Sequence, residues 1–128
     1  MPKQIYVNLP VADLPRSRAF FESLGLHFEP KFSNDQGACL VIQEGSIHAM
    51  LLTSDFFKTF TSKPIADATR STEVLVCLSC ESRDEVDALA AGGTAPRAPQ
   101  DHGFMYAHGF EDVDGHIWEL VHMSPEAA

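Results

Sequence analysis

The segment Gly109–His122 carries the side chains with the clearest capacity for chemistry. It reads GFEDVDGHIWELVH and places one carboxylate, Glu119, within an apolar, strand-like run. An acidic turn with a glycine precedes this run, and the combination predicts a β-hairpin. If Val113 and Asp114 form a two-residue turn, His108 lies directly opposite Glu119. A half-buried imidazole beside a carboxylate is suited to acid–base chemistry or to binding a metal.

Period-two alternation assigns the side chains of this hairpin to two faces. One face mixes an imidazole and a carboxylate with apolar groups, as the wall of a binding pocket does: Tyr106, His108, Phe110, Ile117, Glu119 and Val121. The other face is apolar except for its terminal histidine, which fits packing on helices: Met105, Ala107, Trp118, Leu120 and His122. Phe104, Tyr106 and Phe110 are predicted to offer stacking surfaces to a ligand. The alternative is a purely structural pair of His108 and Glu119, which stabilises a sheet by at most about 1 kcal/mol.

Polar side chains outside this hairpin add three candidate ligand contacts. Tyr6 and Asn8 alternate with the apolar side chains of the first strand-like run, so they are expected to point away from the helix and into a cavity. His102 precedes the penultimate strand and is expected at the mouth of that cavity, with an exposed turn histidine as the alternative. His48 is expected on the helix-facing side of its strand. The sequence has no Ser–His–acid order, phosphate-binding glycine loop or H-E-x-x-H element.

The order of strand and helix signals repeats once along the chain. The strand-like run Gln4–Val11 precedes a helix with Asp13 at its N-cap, and the run Glu73–Cys80 precedes a helix that starts with a Ser82–Glu85 capping box. Three strand-like segments follow each helix, and an offset of 69 residues aligns VNLPVAD with VCLSCES. This pattern predicts an α+β fold of two βαβββ modules. We expect a single domain, with module one at residues 1–53, a connector at 54–71 and module two at 72–128.

Charge and cysteine content narrow the possible partners and the compartment. The chain has 9 basic and 18 acidic residues, and a net charge of −9 opposes binding to nucleic acid or to anionic membranes. No apolar stretch reaches transmembrane length, and no signal peptide is recognisable. Three cysteines form no disulfide framework, and Cys77 and Cys80 are expected on opposite faces of a strand. These features predict a cytoplasmic protein, and the pocket-like face of the hairpin predicts a small-molecule ligand.

The motif FEDVDGHIWEL resembles the C-terminal motif of the vicinal oxygen chelate superfamily, which has proline in place of Val113. The segment VNLPVADLPRSRAFFESLGL resembles the opening strand and helix of the same superfamily. The whole chain looks most similar to bacterial proteins predicted to be lactoylglutathione lyases. This resemblance implies two curved half-barrel sheets around a cavity, usually with a divalent metal, and a homodimer.

The superfamily draws metal ligands from the first and last strands of each module. Carried over to this sequence, these positions fall on Tyr6, near Leu51, near Leu75 and on Glu119. Leucine cannot bind a metal, and tyrosine is an uncommon ligand for divalent ions. The usual ligand set is therefore incomplete, and the binding of one divalent metal is left open. If a metal binds, Glu119 and His108 are the expected ligands.

The resemblance leaves several functions open. The favoured one is a glyoxalase-like lyase or isomerase that acts on a small oxygenated substrate. Glu119 would then remove a proton beside a carbonyl, and His108 or Tyr6 would stabilise the enediolate. One alternative is a binding protein of the bleomycin-resistance type, whose acidic, aromatic-lined site would suit a cationic ligand. The other alternative is a ring-cleaving dioxygenase.

Overall fold

The computed structural model describes residues 3–125, which form two compact units divided between Ile65 and Ala66. The first unit contains four strands and a main helix, in the order β1 (Ile5–Val11), α1 (Leu14–Ser23), β2 (His27–Glu29), β3 (Gly37–Gln43) and β4 (Ile47–Thr53). A one-turn helix, α2 (Ser54–Phe57), follows β4. The second unit repeats the order as β5 (Leu75–Ser79), α3 (Arg83–Ala90), β6 (Gln100–Asp101), β7 (Met105–Glu111) and β8 (Ile117–Met123).

The two sheets share one topology. The strand order is β1-β4-β3-β2 in the first and β5-β8-β7-β6 in the second. In each sheet the first strand runs parallel to the last, and the other neighbours are antiparallel. The predicted α+β fold of two βαβββ modules is confirmed. The division between the units lies inside the predicted connector, residues 54–71.

Two strand-like segments of the sequence form less regular structure than expected. The segment 27–33 contributes only β2, because Pro30 begins a 3₁₀ turn that ends at Phe32. The segment 94–99 contributes one isolated bridge, between Thr94 and Glu111, before β6 begins. Prolines punctuate both segments and remove backbone donors that a strand ladder requires.

Local signals start and end the two main helices as predicted. The Asp13 carboxylate accepts a hydrogen bond from the backbone N–H of Arg16 at 3.1 Å, and the chain turns out of α1 at Gly25, where φ is +89°. At α3 the Ser82 hydroxyl accepts from the backbone N–H of Glu85 at 3.0 Å. The Glu85 carboxylate accepts in turn from the backbone N–H of Glu81 at 2.7 Å. The N-caps are therefore 69 positions apart, which is the offset predicted for the repeat.

Each main helix packs on one face of its own sheet. In the first unit the Arg18 guanidinium lies 5.0 Å from the ring centre of Phe28, which places α1 on the face of that side chain. The strand pairing places five buried side chains of the sheet on this face: Leu9, Ala38, Leu40, Ala49 and Leu51. In the second unit α3 buries Val86 and Ala90 against β7 and β8. None of the helices formed by residues 3–125 is long and apolar enough to cross a membrane.

Candidate functional site

The β7–β8 hairpin turns through three residues, not two. The backbone N–H of Asp112 donates to the carbonyl oxygen of His116 at 3.0 Å, which leaves positions 113–115 as the loop. Gly115 adopts φ = +90°, as three-residue hairpin loops require at this position. The Asp112 carboxylate fixes the loop, because its Oδ1 accepts from the backbone N–H groups of Asp114 and His116 at 2.9 and 3.0 Å.

The extra loop residue shifts the strand register by one position. Gly109 lies opposite Glu119, and His108 lies opposite Leu120. Side chains that face each other across an antiparallel pair share a face of the sheet. The predicted pairing of His108 with Glu119 is therefore wrong, and the two side chains lie on opposite faces.

The assignment of β8 to its two faces is confirmed, whereas that of β7 is inverted. Trp118, Leu120 and His122 lie on the face that α3 covers, as expected. Tyr106, His108 and Phe110 lie on this same face, and not on the predicted pocket wall. The Phe110 ring stacks on Trp118 with centroids 6.1 Å apart, and only 2% of Phe110 is exposed.

Tyr106 and His108 belong to a polar network that joins α3 to β6 and β7. The Tyr106 hydroxyl donates to the Asp87 carboxylate at 2.6 Å, which raises the pKa of the phenol. The Arg83 guanidinium lies 4.9 Å from the Tyr106 ring centre and donates to both Asp101 oxygens, at 2.7 and 3.1 Å. His108 Nδ1 lies 4.0 Å from Asp87 Oδ1 and is buried without a hydrogen bond to any residue in the range 3–125. These contacts support the packing of α3.

Glu119 lies on the face of the second sheet opposite α3, called here the distal face. Around it this face carries a second carboxylate, Glu111, and otherwise mostly small or aliphatic side chains: Leu75, Cys77, Ala107, Gly109, Ile117 and Val121. The Glu119 side chain is 33% exposed, and its Oε2 lies 3.7 Å from Nη2 of Arg97. Burial and the nearby Glu119 charge raise the pKa of the Cys77 thiol, which therefore stays protonated at neutral pH. The distal face thus offers the half-buried Glu119 carboxylate, a second carboxylate at its edge, a guanidinium and a neutral thiol.

In the first unit, Tyr6 and His48 form a stacked pair. Their ring centroids are 4.5 Å apart with an angle of 9° between planes, and the strand register places them side by side. The prediction that His48 faces the helix is wrong, because it shares the face of Tyr6 and Asn8. His48 is only 6% exposed, and its Nδ1 lacks a hydrogen-bond partner within the described chain. The Tyr6 hydroxyl donates to Gln4 Oε1 at 2.9 Å.

Sequence reasoning missed the Tyr6–His48 stack because both faces of β4 are apolar. Ala49 and Leu51 alternate with Met50 and Leu52, so the pattern gives no orientation for the strand. The parallel pairing of β1 with β4 supplies it. The sequence does assign Tyr6 and Asn8 to the face away from the helix, so the orientation of β4 follows once its pairing with β1 is known.

The donors that the chain provides do not fit the divalent metal that the superfamily usually holds. The offset of 69 aligns the pair Cys77–Glu119 with Asn8–Met50, so a thioether replaces the carboxylate in the first unit. Leu51 lies on the helix-facing side, opposite Leu9. Among residues 3–125 there is no group of three His, Cys, Asp or Glu side chains arranged to hold a metal ion.

The two remaining candidates lie at the turn between β6 and β7. The backbone N–H of His102 donates to the carbonyl of Met105 at 2.8 Å, and Gly103 adopts φ = +81°. The rings of His102 and Phe104 are 6.4 Å apart, and 53% of Phe104 is exposed. Both side chains are accessible, as a ligand contact requires.

Comparison with protein families finds one match, over the N-terminal part of the chain. Residues 3–43 match the model of the bleomycin resistance protein-like N-terminal region. A comparison with curated proteins finds no match.

Solved structures share the fold across nearly the whole chain. A hypothetical protein from S. aureus is 23% identical, with a TM-score of 0.73 and 94% of each chain covered. A glyoxalase/bleomycin resistance protein/dioxygenase family enzyme from Burkholderia phytofirmans is 16% identical, with a TM-score of 0.75 and 96% and 100% covered. A bleomycin-binding protein in complex with bleomycin is 18% identical, with a TM-score of 0.67 and 96% and 100% covered. The chain therefore shares the fold of these glyoxalase/bleomycin resistance protein/dioxygenase and bleomycin-binding structures, and its residues 3–43 match the bleomycin resistance protein-like model.

Proposed function

We propose that the chain is a small-molecule-binding protein of the glyoxalase/bleomycin-resistance type and that its ligand contacts Glu119 on the distal face. The observation that carries this proposal is the one-residue shift in the register of the β7–β8 hairpin, relative to the pairing predicted from the sequence. It places His108, the predicted acid–base partner, on the opposite face under α3. Glu119 keeps Arg97 and Cys77 as polar neighbours, which suit recognition by charge and hydrogen bonding more than proton relay.

The half-buried carboxylate is suited to binding a cationic or hydroxylated group. At 33% exposure it is reachable, yet apolar neighbours reduce the screening by water, which strengthens a charge-assisted hydrogen bond. The bleomycin-binding protein with the same fold supports a ligand-binding role for this architecture. The net charge of −9 also favours a cationic ligand.

Isothermal titration calorimetry with bleomycin, and with a panel of small amines and hydroxylated compounds, tests this proposal. Replacing Glu119 by Gln is expected to weaken binding by about 10- to 100-fold, because a hydrogen bond to a charged group is lost. Replacing Glu73 by Gln is the control, since it removes the same charge from an exposed position ahead of β5. Equal affinity of E119Q and wild type would refute the role of Glu119, and failure of the whole panel to bind would refute the proposed function.

Glyoxalase-like lyase chemistry is the second candidate, and the placement of Glu119 favours it. The residue at the position of the family's terminal glutamate is accessible, and a guanidinium lies within 4 Å of it. Glu119 would accept a proton from the carbon beside a carbonyl, and Arg97 would offset the charge of the enediolate. Turnover of the glutathione–methylglyoxal hemithioacetal by wild type, lost in E119Q with substrate affinity retained, would support catalysis. The ring-cleaving alternative draws no support from the donors described.

We also propose that the protein is a cytoplasmic homodimer. Three unpaired thiols, those of Cys39, Cys77 and Cys80, are consistent with a reducing compartment. The dimer is supported by exposed aromatic surface that follows α2, where 60% of Phe60 is accessible.

A further inference from the structure

The contact between Arg97 and Glu119 affects which ligands can reach the distal face. Arg97 lies in the segment Thr94–Pro99, which forms no regular strand. Hydrogen bonds fix the segment at its start, because Thr94 exchanges two backbone bonds with Glu111, at 2.7 and 3.4 Å. At its end, β6 pairs with β7. Arg97 therefore extends toward Glu119 from the middle of a short span that is held at both ends.

The two cross-strand neighbours of Glu119 contribute little side-chain bulk beside its carboxylate. Gly109, the cross-strand neighbour in β7, contributes no side chain, and a Cβ there would lie 2.8 Å from the carbonyl oxygen of Trp118. Cys77, the neighbour in β5, contributes a short neutral one. The guanidinium of Arg97 is the cationic group nearest to the Glu119 carboxylate in the structure described. A ligand carrying a similar group would meet the same partners.

The ion pair is weak enough to be displaced. A single N···O distance of 3.7 Å is longer than a bidentate guanidinium–carboxylate contact, and the Arg97 side chain is 61% exposed. Exposed pairs of this kind contribute little to stability. A ligand that binds Glu119 through two short hydrogen bonds would gain more than the loss of the Arg97 contact costs.

We infer that Arg97 is an internal competitor for the ligand site, and that the group that replaces it is a planar cation, an amidinium or a guanidinium. This inference rests on the proposed binding function and adds to it the chemical class of the ligand group and a residue that sets specificity. Arg97 rejects weakly bound cations, because each must displace the guanidinium first. Ligands with a planar, bidentate cation displace it.

Benzamidine, a planar aromatic amidinium, is the probe, and neutral benzamide is its matched control. We expect wild type to bind benzamidine and not benzamide, with backbone ¹H–¹⁵N shifts centred on Cys77, Gly109 and Glu119. The R97Q variant is expected to bind benzamidine about two- to fivefold more tightly, the change expected from the loss of an exposed ion pair. R97K keeps the charge without the planar fork and should lie between the two. E119Q should lose binding.

A second arginine controls for net charge. Arg70 lies in the Asp67–Ser71 turn of the same unit, and R70Q should leave the affinity for benzamidine within about 1.5-fold of wild type. An affinity of R97Q that is no higher than that of R70Q would overturn the inference. Binding of benzoate by wild type that is lost in R97Q would also overturn it, because Arg97 would then be a ligand contact. If benzamidine binds none of these proteins, the inference fails, whereas the bleomycin and panel titrations judge the proposed function separately.

Discussion

At the scale of single residues, the Asp112 carboxylate determines which side chains of the β7–β8 hairpin share a face. Its Oδ1 accepts two backbone N–H groups of the turn, and its Oδ2 accepts the Trp118 indole N–H at 3.0 Å. The side chain is buried, which raises its pKa, and the indole hydrogen bond opposes this shift. Asp112 therefore links the turn to the core, and through the register it separates Glu119 from His108.

Replacing Asp112 by Asn should destabilise the fold by roughly 1–3 kcal/mol, the usual cost of an unsatisfied buried polar group. The amide can keep one oxygen acceptor only, so its NH₂ group must face either the indole N–H or the two backbone N–H groups. Urea denaturation followed by fluorescence measures the effect, because Trp118 is the single tryptophan and reports on this contact.

The control for this prediction is Asp35, an exposed aspartate in the turn before β3. Replacing Asp35 by Asn removes the same charge and should change the free energy of unfolding by no more than about 0.5 kcal/mol. Equal stability of the two variants would mean that Asp112 does not hold the hairpin in the way described.

At the scale of secondary structure, alternation predicted the strands well, and loop geometry decided the error in the faces of β7. The faces of β8 follow from the apolar period of two alone, and the helix N-caps follow from Asp13 and Ser82. The faces of β7 depend on whether the DVDG turn contains two or three loop residues. Several glycine-containing turns suit such a sequence, so the register, and with it the relation of His108 to Glu119, required the structure.

The Arg83–Asp101 pair joins α3 to β6 and should make the second unit sensitive to acid. The hydrogen bonds from Arg83 lower the pKa of Asp101 from its ordinary 3.8 to about 2. A carboxyl group whose pKa is lower in the folded state stabilises the fold above its ordinary pKa, and it loses this contribution as the pH falls toward the folded value. Wild type should therefore lose stability between about pH 4 and pH 2.

Replacing Asp101 by Asn should remove this part of the pH dependence. Urea midpoints measured across this pH range compare the variant with wild type. Replacing Arg83 by Gln removes the donor and should flatten the same part of the profile. A D101N profile that is parallel to that of wild type would contradict the role of the pair.

At the scale of the whole molecule, two units with one topology carry different side chains at equivalent places. The pair Cys77–Glu119 in the second unit corresponds to Asn8–Met50 in the first, and the stacked pair Tyr6–His48 lies next to the latter. The repeated order of strand and helix signals in the sequence predicted the shared topology, because both halves retain those signals. It did not predict the ligand chemistry, because the side chains on the faces away from the helices have diverged between the halves.

The proposed homodimer is expected to bury the exposed ring of Phe60 in its interface. Phe60 ends a 3₁₀ turn after α2, packs edge-on against Phe56 at 5.2 Å and is still 60% exposed. In a two-fold symmetric dimer, the Phe60 side chain of one copy would contact the equivalent surface of the other copy. This contact would remove both rings from water. Light scattering at micromolar concentration should give twice the 14.1 kDa mass of the chain.

Replacing Phe60 by Asp should shift the protein toward the monomer, because a charge would be buried in the interface. Replacing Phe32 by Asp is the matched control: its ring is 61% exposed, in the 3₁₀ turn after β2, and this variant should remain dimeric. A wild-type mass of one chain would refute the dimer. A dimeric wild type with an equally dimeric F60D variant would place the contact elsewhere on the surface.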